Sequence, residues 1–122
     1  MHAQEIIAEF KAAIDLNGDD VFVLEQIKEI LLPGLQRHPA NEDLLLETAL
    51  AFDVLVENRA MAMLFYEKIT NHGRVEFIVN YARCLAQHGD KERALEIIDA
   101  SPVASDDSVV EMRKDIEAEL WD

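Results

Sequence analysis

Residues 75–108 read VEFIVNYARCLAQHGDKERALEIIDASPVASDDS, and this stretch decides the fold. Val75, Ile78, Tyr81, Ala82 and Leu85 recur at steps of three and four, the spacing of one face of an α-helix. Gly89 marks the end of that helix, and Asp90 offers a side-chain oxygen to cap the next one. Ala94, Leu95 and Ile98 carry the second stripe. It ends before Pro102, which has no amide proton with which to continue a helix. The two helices present small residues, Ala82 and Ala94, where their backbones need to approach closely, and larger apolar residues fill the remaining space.

Working outward, the same period runs through almost the whole chain. Ala3, Ile6, Ile7, Phe10, Ala13 and Ile14 form a first stripe that stops at Asn17-Gly18. Asp19 or Asp20 caps a second helix carrying Val23, Leu24, Ile27, Ile30, Leu31 and Leu35. Pro33-Gly34 is expected to end or kink it, and His38-Pro39 closes the segment. Asn41 caps a third helix with Leu45, Thr48, Ala49, Phe52, Leu55 and Val56 on one face. Asn58 opens a fourth, from Ala60 to about Ile69, apolar on nearly every side and so expected to lie centrally. Asn71-His72-Gly73 ends it. Beyond the quoted stretch, Ser108 with Glu111 forms a capping box for a last helix whose inward residues are Val109, Met112, Ile116 and Leu120. Short turns join about seven helices, and no hairpin signal interrupts them.

Helix pairs recur. Ala60 and Ala94 each sit early in the second helix of a pair, 34 residues apart, and Asn41 and Val75 each open the first helix, again 34 apart. A helix–turn–helix period of this length is the tetratricopeptide spacing, and the sequence resembles the tetratricopeptide repeat (TPR) family. In residues 75–108, Ile78 stands at the family's tryptophan position, Tyr81 at its leucine, Ala82 at its first small residue and Leu85 at its tyrosine. Gly89 is the turn, Ala94 the second small residue and Ile98 the phenylalanine. Residues 41–74 match in a register shifted by one, through Leu45, Thr48, Ala49 and Phe52. The resemblance implies an all-α, TPR-like stack of antiparallel helix pairs in one domain over residues 1–122. Its parts are an N-terminal pair (1–40), a degenerate repeat (41–74), the best repeat (75–108) and a capping helix (109–122).

Charge narrows the class of partner. Twenty-five acids face eleven lysines and arginines, a formal net charge of −14. Such a chain repels a phosphate backbone and an anionic membrane, so neither nucleic acid nor membrane is an expected partner, whereas a basic protein is attracted. Residues 75–122 hold 12 acids and 5 bases, half of the net charge. The N-terminal Met1-His2-Ala3-Gln4-Glu5 has no basic region and no long apolar run, so no signal peptide is expected. A single cysteine, Cys84, forms no internal disulfide and suits a reducing, cytoplasmic setting.

No catalytic constellation emerges, and no enzyme, cofactor or metal is expected. Asp15, Asn17 and Asp19 have the opening spacing of a calcium loop, but Asp20 replaces the required glycine and Gln26 the required bidentate glutamate. His2, His38, His72 and His88 are never three or four residues apart, the spacing a helical metal site needs. Cys84 has His88 one turn away, yet a thiol on a core-facing helix reads as inert. Met61 and Met63 read as packing residues.

A surface therefore remains as the site. The chain reads as a non-catalytic protein-interaction module that binds a basic protein, in its sharper form an immunity or inhibitor protein for a toxin or nuclease. The alternative is an adaptor or co-chaperone that takes a peptide in the concave groove of the stack. The resemblance places groove positions at Glu76, Val79, Asn80, Arg83 and Gln87, with Val79 where the family's carboxylate clamp has a cation. Asp43, Leu46 and Asp53 are the corresponding candidates in the preceding pair. The charge argument adds Glu111, Asp115 and Glu119, spaced to share one face of the last helix.

Overall fold

The computed structural model describes residues 2–119. The described chain is all-helical, with seven helices joined by short turns. They are α1 (Ala3–Leu16), α2 (residues 20–37), α3 (residues 42–55), α4 (Arg59–Tyr66), α5 (Val75–Gln87), α6 (Lys91–Ala100) and α7 (Asp107–Glu117). They gather into two compact units, Met1–Ile69 and Thr70–Asp122. Leu120, expected to face inward from the last helix, lies outside the described residues.

Side-chain caps set most helix starts. Asp19 accepts from the Val21 and Phe22 amides, Asn41 from Leu44, Asn58 from Met61 and Asp90 from Arg93. Each satisfies amides that the first helical turn leaves without partners. The last helix departs from the expected start. Asp106, not Ser108, is its cap, and its carboxylate accepts from the Ser108 amide at 2.9 Å. The aspartate wins because its charged oxygen also meets the positive end of the helix dipole.

In the first unit, α1 packs on α2 and α3, and α4 packs on α3. Phe10, Val23, Ile27, Leu31, Leu44, Ala49 and Tyr66 are almost wholly buried. Pro33 does not end α2 but stands in the first turn of its closing α-helical segment. Residues Ile27–Leu31 form a wide π turn in which the Leu32 amide bonds the Ile27 carbonyl, and α-helix resumes at Leu32. The extra residue in that turn makes room before the proline, whose ring clashes with a regular preceding turn. Gly34 is buried against α1, and a Cβ there would fall 2.9 Å from the Ile6 side chain. The glycine is a contact point between helices, not a helix end.

A second π turn, Ala51–Leu55, finishes α3, with the Val56 amide bonded to the Ala51 carbonyl at 3.1 Å. One extra residue per turn advances the phase of the stripe. Asp53 turns inward, while Leu55, expected on the inner face, is exposed. The Tyr66 hydroxyl donates to Asp53 Oδ2 at 2.8 Å, so the buried carboxylate has a buried donor. The phase of α4 also differs from expectation. Ala62, Met63, Phe65 and Tyr66 are buried, but Ala60 and Leu64 face solvent, so α4 is amphipathic, not central.

In the second unit, α5 packs against both α6 and α7, more extensively against α6. Phe77, Ile78, Tyr81, Ala82, Cys84 and Leu85 of α5 are buried together with Ala94 and Ile98 of α6 and Val109 and Ile116 of α7. Phe77 stacks on Tyr81 with ring centroids 5.2 Å apart. Arg93 closes the edge of the pair, its guanidinium donating to the Tyr81 hydroxyl at 3.0 Å. Among the described residues, every buried side-chain nitrogen and oxygen has a hydrogen-bond partner.

Candidate partner-binding surfaces

The five groove positions on α5 share one face of that helix. Glu76 is exposed, and Val79, Asn80, Arg83 and Gln87 are half-buried. Asn80 is turned back on its own helix, where its amide donates to the Glu76 carbonyl at 2.8 Å. Arg83 and Gln87 are also engaged within the chain. Three of the five side chains, Asn80, Arg83 and Gln87, are thus engaged within the chain, so a partner would have to displace some of them. In the preceding pair the three positions separate. Asp43 is exposed and accepts from the Gln4 amide at 2.9 Å, whereas Leu46 and Asp53 are buried.

The three acids of the last helix do not share one helical face. Glu111 is exposed and Asp115 half-buried on α7, but the helix ends at Glu117. Glu119 lies beyond it, at a φ of 58° in the left-handed region, and pairs with Lys91 at 3.7 Å. The spacing rule assumed two further helical residues. The chain instead leaves the helix at Ala118, whose amide bonds the Lys114 carbonyl, and Lys91 also donates to the Glu117 carbonyl at 3.1 Å. Cations at a helix C-terminus stabilise its exposed carbonyls.

Cations are largely used inside the fold. Lys11 pairs with Glu47, Lys91 with Glu119, and Arg113 with both Asp99 and Glu117. The fork of Arg113 grips Asp99 with two bonds, 2.8 and 3.0 Å. Hydrogen bonding to Arg113 holds the Asp99 carboxyl below the usual carboxylate range, and Asp99 in turn pushes the Arg113 guanidinium up. The side chains of Glu92 and Glu96 on α6, of Asp115 on α7, and of Glu9, Glu25 and Glu29 in the first unit carry no ion pair or hydrogen bond among the described residues. Glu92 and Glu96 are exposed one turn apart. Sequence reasoning passed over them because α6 was read for its apolar stripe. Their spacing of four was the available signal.

The first unit has concave features on its surface. A cleft of about 210 Å³ between α1 and α2 is lined by Ile6, Glu9, Glu29, Ile30, Pro33, Gly34 and Arg37. An apolar groove of about 360 Å³ runs over Leu32, Leu35, Pro39, Leu45 and Phe65, with Gln36 and Lys68 at its rim. Lys68 sits 5.5 Å from the centroid of the Phe65 ring.

No family model, no characterised protein and no solved structure matches this chain. The surface is therefore read on its own chemistry. Asp19 in the Asp15–Asp20 segment spends its carboxylate on capping α2, and Asn17 accepts from the Asp19 amide at 3.0 Å. Among the described residues no three His, Cys, Asp or Glu side chains converge as metal ligands would. Cys84 is wholly buried, whereas His88 is exposed at the end of α5. No described helix is long and apolar enough to cross a membrane.

Proposed function

We propose that the chain is a non-catalytic protein-interaction module that binds a basic protein partner through an acidic helical surface, in a cytoplasmic setting. The observation that carries this reading is the asymmetry of pairing. Most of the cations are engaged within the fold, whereas among the described residues Glu92, Glu96 and Asp115 are left without partners and Glu111 is held only loosely, 3.9 Å from Lys114. Unneutralised carboxylates of one sign raise the local potential and steer a cationic partner into encounter. Masking the basic active site of a toxin or nuclease is the sharper form, since such a site presents the complementary charge. Nucleic acid, membranes, metals and cofactors have no place in it.

The capture experiment compares the wild-type chain with the Glu92→Lys/Glu96→Lys/Glu111→Lys variant, each immobilised and exposed to lysate of the source cell at low and high salt. The expected result is a basic protein held by the wild type, released by salt and bound by the variant with an association rate lower by about tenfold or more. Equal, salt-insensitive capture by both chains overturns the reading. One observation favours the adaptor alternative. Helices α3 and α5 start 33 residues apart and α4 and α6 start 32 apart, close to the tetratricopeptide period. Under that alternative the partner is a peptide laid along Val79 and Asn80, and Asn80→Ala, not the lysine variant, weakens it.

A further inference from the structure

We propose that the cleft between α1 and α2 seats one arginine side chain of the basic partner, with the guanidinium between Glu9 and Glu29 and the aliphatic stem against Ile6, Ile30 and Pro33. This deepens the reading above and rests on it. The two carboxylates come from different helices and line one concavity. Neither they nor Arg37, which lines the same cleft, form a side-chain hydrogen bond or ion pair among the described residues. Three charged groups that meet at a cleft without pairing with one another leave the site open to an outside charge. At about 210 Å³ the space is smaller than a typical small-molecule pocket, which starts near 300 Å³, and suits a single side chain.

The lining sorts by chemistry. Ile6, Ile30 and Pro33 offer an apolar wall to a three-carbon stem, and the carboxylates offer acceptors to a planar fork of five donors. A lysine ammonium would find the same charge but not the same two-sided geometry. Gly34 keeps the wall in place, because a Cβ there would press on Ile6, and no side chain grows from position 34 into the space. Arg37 prevents a second cation from entering and gives the partner's residue a direction, since an acid beside the inserted arginine meets it.

The test uses the uniformly 15N-labelled full chain and three probes at low salt: acetyl-Gly-Arg-Gly-amide and its lysine and glutamate counterparts. The expected result is saturable amide shifts confined to residues around Ile6, Glu9 and 29–37. The arginine peptide should bind about fivefold more tightly than the lysine peptide, and the glutamate peptide should leave the cleft unmoved. In Glu9→Gln/Glu29→Gln, whose spectrum elsewhere should match the wild type because both positions are exposed, those shifts should vanish. Shifts spread evenly over α6, α7 and the cleft, or unchanged in the double variant, overturn the cleft and show only diffuse counter-ion attraction. The acidic-surface reading is judged separately, by the lysine variant on α6 and α7.

Discussion

The helix pairs α3–α4 and α5–α6 solve the same packing problem in different ways. The second is regular. Its helices carry Ala82 and Ala94 at full burial, and its polar contact, Arg93 to Tyr81, sits at an edge where the guanidinium reaches solvent. The first ends its leading helix in a π turn and brings a carboxylate into the core against a fully buried tyrosine. A regular stripe can be extrapolated from one turn to the next. A wide turn breaks that extrapolation, because every residue after it has a new phase.

The sharpest way to break the comparison is to overfill the small positions. Ala94→Phe and Ala62→Phe both place an aromatic ring where the alanine is wholly buried, and each should cost about 3 kcal/mol or more. Ala60→Phe should stay within about 0.5 kcal/mol of the wild type, because Ala60 faces solvent. Urea denaturation of the three variants decides between them. A large loss at Ala60 with none at Ala62 would restore the strict spacing of 34 between Ala60 and Ala94.

A smaller effect separates the two tyrosines. Tyr66→Phe withdraws the hydroxyl from the buried Asp53 carboxylate and should cost about 1–3 kcal/mol. Tyr81→Phe takes a bond from an arginine that water can solvate, and should cost about 0.5–1 kcal/mol. Equal losses would mean that the irregular pair gains nothing special from its internal carboxylate. Asp53→Asn, measured alone and with Tyr66→Phe, gives the coupling between the two groups directly.

Legibility in the sequence followed the same division. The side-chain caps Asn41, Asn58 and Asp90 were readable, and Asp19 as one of two candidates beside Asp20, because capping is decided within three residues. The apolar stripes of α1 and α5 were readable because both helices stay regular, although Phe77 escaped notice beside Ile78. Leu55, Asp53 and Ala60 were misplaced because a wide turn depends on packing between helices and leaves no local mark beyond, at α2, a proline. The candidate surface was legible as charge alone. Which carboxylates remain unpaired depends on where Lys91 and Arg113 reach, and those bonds cross from one helix to another.

The smallest expected effect concerns one such bond, and pH isolates it. Asp99 is held by the Arg113 fork, and its pKa is lower in the folded chain than in the unfolded one. A carboxylate shifted in this direction adds stability that is present above its unfolded pKa and disappears as pH falls through the folded value. Arg113 remains protonated throughout this range, so the titration belongs to Asp99. The wild type should therefore be more stable than Asp99→Asn at pH 7, and the two melting curves should draw together as pH falls below about 4. The gap at pH 7 should be small and should narrow with added salt, because Asp99 is exposed and Arg113 is partly so. A gap that persists at pH 2, or widens there, would show that Asp99 acts through something other than its charge. Packing at the α6–α7 contact would then hold the second unit together where the ion pair does not.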